Sequence, residues 1–224
     1  LMKKLVIFSG AGISAESGLS TFRDNGGLWD QYPIEEVATY DAWLKNPKKV
    51  TEFYNLRRKN CIEAKPNDAH INIASLEKNF NVTVVTQNID DLHERAGSTK
   101  ILHLHGEIMK SRSTGTNKIY PINHYKMNED DLCPDGYQLR PHVVWFGESV
   151  PKMDDAFNVV SLADIFVIIG TSLQVYPAAG LIHATKANCS RYIIDPNEIS
   201  VPEDIIQIKK TGSEGINELI NLIT

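Results

Sequence analysis

Leu5-Val6-Ile7-Phe8-Ser9-Gly10-Ala11-Gly12-Ile13-Ser14-Ala15-Glu16-Ser17-Gly18 is the stretch whose reading decides the fold. Its apolar start is short and β-branched or aromatic, the pattern of a parallel strand buried on both faces. A strand that ends in closely spaced glycines and small residues brings backbone N–H groups against a phosphate. Gly10 and Gly12 carry no Cβ, so the chain can turn sharply and a ligand can touch the main chain. The spacing departs from the dinucleotide fingerprint G-x-G-x-x-G, because the third glycine position is Ala15 and the next glycine is Gly18. That departure counts against a hydride-transferring dehydrogenase. A strand–turn–helix without a ligand has no use for Ser14, Glu16, Ser17 and Arg23 around one turn.

Outward from this stretch the chain alternates strands with helices. Asp24 to Trp29 reads as a polar loop carrying an aromatic, a candidate lid. Residues 34–79 read as helices, with Asp41 and Asn46 as N-caps and Pro47 in a first turn. Tyr54 and Arg57 are three apart and share a helix face. Asn81 to Thr86 is a β-branched strand ending in Gln87-Asn88-Ile89-Asp90, and polar strand ends are where open α/β sheets bind ligands. Ile101 to Glu107 reads as a strand with His103 and His105 on one face. Residues 108–142 are polar and turn-rich, with a short hairpin around Ile119-Tyr120. Val143 to Gly147 is strand-like, Ala156 to Ala163 helical, Ile165 to Ile169 a buried strand ending in Gly170-Thr171-Ser172, and Ala178 to Ala187 helical. Tyr192 to Ile194 is a strand ending in Asp195-Pro196-Asn197, and Ile205 to Lys209 with Glu214 to Ile223 closes the pattern. The expected fold is α/β, a Rossmann-like doubly wound parallel sheet with a smaller inserted helical/loop domain. Residues 1–30, 80–107 and 143–224 would form the Rossmann-like nucleotide-binding domain; 31–79 and 108–142 would form the small domain from two insertions. Strand ends at 10, 87, 170 and 195 would meet on one rim.

The totals set bounds. A chain of 224 residues with 42% apolar content can fill one α/β core and an insertion. A net charge of -5 gives no electrostatic case for nucleic acid. No apolar run is long enough for a membrane span, and Met2-Lys3-Lys4 leads straight into a strand without the h-region of a signal peptide. Cys61, Cys133 and Cys189 are odd in number and scattered, which reads as free thiols in a reducing cytoplasm. A cytoplasmic monomer is the expectation.

Taken together, GAGISAESG…FR, TQNID-D-LH, LHGE, VVWFGE, GTSLQVYPAA and IIDPNE, in this order, resemble the sirtuin family of NAD-dependent protein lysine deacylases over nearly the whole chain. That resemblance implies NAD as co-substrate and acylated lysine side chains of proteins, bound by β-augmentation, as partners. It places Gly10, Ala11, Gly12, Ile13, Ser14, Ser17, Gly18, Phe22, Arg23 and Trp29 around the pyrophosphate and nicotinamide ribose. Gln87, Asn88, Ile89 and Asp90 would line the nicotinamide pocket, and Gly170, Thr171, Ser172, Asn197 and Ser213 the adenosine half. Phe22 matches the aromatic that shields the ribose face. His105 matches the catalytic histidine, with Asn88 and Asp90 orienting the ribose, while His103 is read as structural. Val144, Phe146 and Gly147 resemble the segment that pairs with the substrate peptide. The implied reaction breaks the bond to nicotinamide as an acyl oxygen reaches the ribose. A histidine with an ordinary pKa near 6.5 then takes a ribose hydroxyl proton, giving free lysine, nicotinamide and O-acyl-ADP-ribose.

Two departures from the family pattern matter. The family's two C-x-x-C pairs, a zinc module, are reduced here to Cys133, with Ser111 and Ser113 where thiolates are expected; one thiolate cannot close a tetrahedral site, so no structural zinc is expected. Tyr54 and Arg57 match the Tyr-x-x-Arg pair of sirtuins that remove acidic acyl groups, since an Arg fork binds a carboxylate bidentately and Tyr adds a donor. The expected activities are desuccinylation and demalonylation alongside deacetylation. The alternatives are a protein mono-ADP-ribosyltransferase, which uses the same NAD cleavage, and a catalytically silent NAD or acyl-lysine binder.

Overall fold

The computed structural model of the protein describes residues 2–21 and 31–224. Phe22, Arg23 and Trp29, and with them the candidate lid, lie outside the described residues.

Six strands make one parallel sheet: β1 (Lys4–Ser9), β2 (Asn81–Thr86), β3 (Ile101–His103), β7 (Ile165–Ile169), β8 (Ser190–Ile194) and β9 (Ile206–Ile208). Their spatial order is β3-β2-β1-β7-β8-β9. The chain thus winds outward from β1 in one direction and, after β3, returns to β1's other side. The order reverses between β1 and β7, and the carboxyl ends of strands at such a switch point leave a crevice.

Side-chain alternation along the strands feeds two cores. Leu5, Ile7, Val84, Val167 and Ile194 face α5 (Asp68–Ser75) and α8 (Gly212–Ile223), where Ile73, Ile216 and Leu219 meet them. Val6, Phe8, Val85, Phe166 and Ile168 face α7 (Met153–Ser161) through Ala156 and Val160. Continuous burial on both faces is why β1 and β7 read as unbroken apolar runs.

A second sheet is antiparallel, ordered β5-β4-β6, from β4 (Gly106–Ser113), β5 (Ile119–Pro121) and β6 (Leu139–Val143). It packs against α2 (Ile34–Val37), α3 (Tyr40–Lys45) and α4 (Pro47–Glu63) around Val37, Trp43, Phe53, Tyr54, Ile108 and Trp145. Arg58, fully buried on α4, ties the two layers by donating to the Ile108 and Tyr125 carbonyls at 2.7 and 2.8 Å.

Several local expectations are corrected. The α3 N-cap is Thr39, whose Oγ1 accepts the Ala42 N–H at 3.0 Å; Asp41 lies in the first turn, while Asn46 does cap α4. His103 and His105 are not on one strand face. β3 ends at His103, and the chain bends so that Gly106, at φ +86°, can lie against the His142 carbonyl. Val143 to Gly147 is not a member of the parallel sheet. Val143 ends antiparallel β6, and Phe146 then bridges Thr39. Ala178–His183 forms a 3-10 helix, shorter than the helix expected to Ala187. The inserted residues carry β4, β5 and β6 in addition to helices and loops. Among the described residues no helix is long and apolar enough to cross a membrane.

The tightest point in the fold is where the β1 and β7 ends meet. Gly170 has φ +64°, and a Cβ there would lie 2.3 Å from the Ile13 nitrogen and 2.7 Å from the Gly12 carbonyl carbon. Gly170→Ala is expected to cost at least about 1 kcal/mol through the left-handed backbone alone, lowering Tm by roughly 2–4 °C or more. Thermal unfolding checks this; an unchanged Tm would mean the two strand ends are free to part.

Candidate active site

The crevice at the switch point opens into a cavity of about 700 Å³. Its floor is main chain. Gly10 N–H donates to the Ile169 carbonyl at 3.0 Å, Gly12 N–H to the Gly170 carbonyl at 2.8 Å, and Gly170 N–H to the Ile194 carbonyl at 3.1 Å. A Cβ on Gly10 would sit 2.6 Å from Thr171 Cβ. Two glycine turns therefore interlock, and this is why they need glycine.

Of the residues singled out from the sequence, Gly10, Ala11, Gly12, Ser14, Gln87, Asn88, Ile89 and Asp90 border the cavity. So do His105, Tyr54, Arg57, Val144, Phe146, Gly147, Gly170, Thr171, Ser172 and Asn197. Four do not. Ile13 is buried in the sheet core. The Ser17 hydroxyl accepts from Asn67 Nδ2 at 3.0 Å, behind the turn. Gly18, at φ +84°, makes the turn after α1 (Gly12–Ala15). Ser213 gives its N–H to Glu16 Oε2 at 2.9 Å, and its neighbours Thr211 and Gly212 border the cavity instead.

A polar cluster sits above the glycine turns. Asn88 Nδ2 donates to the Gly10 carbonyl at 3.1 Å and to Ser14 Oγ at 3.2 Å; Ser14 Oγ donates to Asp90 Oδ2 at 3.1 Å. Both Asn88 amide hydrogens are thereby used, leaving Oδ1 as its acceptor. Asp90 also takes the Leu92 N–H at 3.2 Å. Burial pushes the Asp90 carboxyl up, with the Leu92 and Ser14 donors opposing. Gln87 Nε2 reaches Thr171 Oγ1 at 3.1 Å, joining the two rims.

His105 Nδ1 lies 3.1 Å from the Gln87 carbonyl. A carbonyl only accepts, so Nδ1 carries the hydrogen and Nε2 the lone pair. Burial holds this imidazole below its usual pKa, with the Gln87 carbonyl partly opposing, so the ring is neutral at neutral pH with a basic Nε2. His103 differs: its Nδ1 meets the Asn88 carbonyl at 2.9 Å and its Nε2 meets Glu94 at 2.7 Å. Burial lowers its pKa, but the Glu94 hydrogen bond and charge outweigh that and raise it.

At another part of the wall, buried Tyr54 accepts the Trp145 indole N–H at 3.0 Å. Because the indole only donates, Tyr54 keeps its own O–H for another acceptor, and burial raises its pKa so the proton stays on. Trp145 is a wall residue that the sequence does not mark, since its run reads simply as a strand. Glu16, by contrast, stood within the decisive stretch, and only the fold shows that it faces Ser213. The Trp145 loop is anchored by Glu148, which accepts Arg140 Nη1 and Nη2 at 2.7 and 3.0 Å and the Trp145 N–H at 2.8 Å. The Arg140 guanidinium lies 3.4 Å over the Trp145 ring.

The donors at the expected metal position do not fit a closed zinc site. Cys133 Sγ donates to Ser113 Oγ at 3.4 Å, and Ser113 Oγ accepts the Gly115 and Thr116 N–H groups. Ser111 is occupied separately, on the Tyr120 carbonyl at 3.5 Å. One thiol and two hydrogen-bonded hydroxyls are not four zinc ligands. Among the described residues, one group has metal-ligating atoms within mutual reach: Glu94, His103 and Glu107. Its negative charge is already met by His103 and by Lys110, 2.8 Å from Glu107.

A doubly wound sheet with a glycine-lined crevice at its switch point defines a nucleotide-binding α/β protein. The Sir2 family model matches residues 10–177, and the chain belongs to the Sir2 family. The NAD-dependent protein deacylase of Bacteroides thetaiotaomicron is 52% identical, covering 99% of this chain and 98% of that protein. A Sir2 homologue–NAD complex superposes with a TM-score of 0.89 at 38% identity, covering 99% of this chain and 89% of that one. A Sir2 complex with a deacetylated p53 peptide and 3'-O-acetyl ADP-ribose has a TM-score of 0.82 at 29% identity, covering 99% and 94%.

Glu148→Gln is expected to weaken the Arg140 pair and destabilise the fold by about 1–3 kcal/mol at neutral pH. The Glu148 pKa is lowered: burial raises it, but Arg140 and the Trp145 N–H outweigh that. Its contribution is therefore present above the unfolded value near 4.5 and lost as pH falls through the lower folded value. Denaturant titrations of both proteins should converge once pH falls below the lowered folded value of Glu148; a gap independent of pH would contradict the charge argument.

Proposed function

We propose that this chain is an NAD-dependent protein lysine deacylase that favours acidic acyl groups, releasing nicotinamide and O-acyl-ADP-ribose. The observation that carries this reading is a single cavity bordered by the interlocked glycine turns, by His105 and by the Tyr54–Arg57 pair. NAD, as co-substrate, supplies the ribose carbon that takes the acyl oxygen as nicotinamide leaves.

The glycine turns and the small residues Ala11 and Ser14 let the pyrophosphate approach main chain, while Gly170 to Ser172 and Asn197 border the adenosine half. Asn88 Oδ1 is the acceptor available to a ribose hydroxyl, and Ser14 and Asp90 hold its amide in place. His105 Nε2 takes a proton from a ribose hydroxyl, because its Nδ1–H is committed to Gln87 and burial keeps the ring neutral. Arg57 offers a guanidinium fork to a carboxylate, and Tyr54 adds an O–H that Trp145 does not consume. Val144, Phe146 and Gly147, outside the regular strands, pair with the substrate peptide through main-chain bonds. Residues 31–79 and 108–142 act as a small domain against the nucleotide-binding part, with the acyl end of the cavity at their junction. Three free cysteines fit a reducing cytoplasm, and the chain works as a monomer.

A paired assay with one peptide carrying acetyl-lysine or succinyl-lysine tests this, with products followed by mass. Faster succinyl removal with O-succinyl-ADP-ribose formed is expected; removal of acetyl alone would discard the acidic-acyl preference. Arg57→Met should lower succinyl cleavage about 10- to 150-fold, for a lost charge-assisted bond of about 1.5–3 kcal/mol, while sparing acetyl cleavage. Equal losses on both substrates would make Arg57 structural.

His105→Ala is expected to stop turnover to free lysine and O-acyl-ADP-ribose while calorimetry still detects NAD binding. Because the neutral ring is the active form and burial lowers its pKa, kcat/KM should be flat above about pH 6.5 and fall only below it. An acid limb centred well above pH 6.5 would contradict the assignment.

A further inference from the structure

Two histidines behind the cavity wall have no part in the chemistry above. His70, on α5, and His93, on α6 (Leu92–Ala96), are almost fully buried, and neither borders the cavity. Their rings meet edge to face, with centroids 4.9 Å apart. His70 Nε2 and His93 Nδ1 are both buried without a hydrogen-bond partner, which normally costs about 1–3 kcal/mol per group.

The bonds at the other ring nitrogens settle where the hydrogens lie. His70 Nδ1 stands 3.3 Å from the Asn67 backbone N–H. That group only donates, so Nδ1 accepts and the hydrogen of the neutral ring is on Nε2. His93 Nε2 lies 3.0 Å from Ser9 Oγ, and Ser9 gives its one hydrogen to Thr86 Oγ1 at 2.8 Å. His93 must then donate from Nε2, which leaves Nδ1 as a bare lone pair. The two orphaned atoms are thus one N–H donor and one acceptor, on touching rings. Burial also holds both rings neutral, His70 with its pKa near 4 and His93 well below its usual value.

We infer that His93 and His70 are positioning residues, joined from His70 Nε2–H to His93 Nδ1 through one buried water, which complete a hydrogen-bond chain that runs one way as far as Thr86, where Asn88 also donates, and so sets Asn88 against the glycine turn. From one end the chain runs through His70, His93, Ser9 and Thr86. Thr86 Oγ1 accepts the Asn88 backbone N–H at 3.0 Å. At the other end Asn67, whose N–H starts the chain, donates from Nδ2 to the Ile13 carbonyl at 2.8 Å and to Ser17 Oγ at 3.0 Å. Asn88 closes the circuit through its own bonds to Gly10 and Ser14. A polar loop therefore encircles the glycine turn and sets Asn88 from behind. Its bearing on catalysis rests on the reading of Asn88 and Ser14 as part of the NAD pocket.

The chain predicts tautomers that can be observed without any turnover. Long-range ¹H–¹⁵N correlation of histidine-labelled protein should show both His70 and His93 protonated at Nε2, with neither titrating near the ordinary 6.5. The other ionisable ring near His93 is His103, already engaged by Asn88 and Glu94. A His93 hydrogen on Nδ1, or a midpoint near 6.5 for either ring, overturns the inference, and does so whether or not the protein proves to be a deacylase.

Activity supplies the second arm. His93→Gln keeps an N–H at the depth of Nε2, whereas His93→Leu does not. His93→Leu should lower kcat/KM for NAD about 10-fold or more, since small displacements at a reacting site cost up to about 100-fold, and His93→Gln should recover most of it. If both variants lose Tm alike and turn over like the parent once folded, His93 is packing alone and the positioning role is wrong.

Discussion

The close approach of two main-chain turns at the ends of β1 and β7 is the constraint on which the rest of this structure depends. The spatial order reverses between these strands, and their carboxyl ends border a crevice at that switch point. Gly10 and Gly12 press against Gly170 and Thr171 with no room for a side chain. The contact satisfies backbone groups that a buried turn would otherwise strand. It also leaves a crevice floored by peptide groups. Stability and ligand access come from the same few glycines.

The polar residues over that floor follow from the same placement. Asn88, Ser14 and Asp90 are each nearly buried, a costly arrangement unless each group is paired. They pair with one another and with the Gly10 carbonyl, which orients them before any ligand arrives. Catalytic sites gain from such preorganisation, because donors and acceptors already in place need not reorganise as charge develops. The antiparallel sheet and α4 supply the opposite wall. There the Arg140–Glu148 pair and the Trp145 ring under the Arg140 guanidinium hold a loop that, among the described residues, forms a β-bridge at Phe146 alone.

Much of this was legible from residues alone. The apolar runs of β1 and β7, the glycine turn, and the polar end of β2 each carry a local signature that needs no knowledge of partners. Most of the residues singled out from the sequence do border one cavity. What failed to read did so for identifiable reasons. His105 reads as part of a strand because Ile101 to Glu107 alternates well; the bend is imposed by the approach of β6 to Gly106, a contact between residues far apart in sequence. Val143 to Gly147 is apolar and β-prone, yet its pairing is antiparallel and brief. Arg58 looks like an ordinary surface residue of a long helix. Its burial is met by the carbonyls of Ile108, on β4, and of Tyr125, both distant in sequence.

The sequence by itself determined the alternation of strands and helices, the turn chemistry at Gly10 and Gly170, and the set of groups able to do chemistry. Those depend on hydrophobic period, the missing Cβ and side-chain functional groups, which are local properties. The tertiary structure alone decided which nitrogen of His105 is basic, that Tyr54 keeps its proton, and that Ser213 turns to Glu16. It also decided that His70 and His93 meet. Each of these rests on a hydrogen bond or desolvation between segments distant in the chain, and neither exists until the sheet order has brought those segments together.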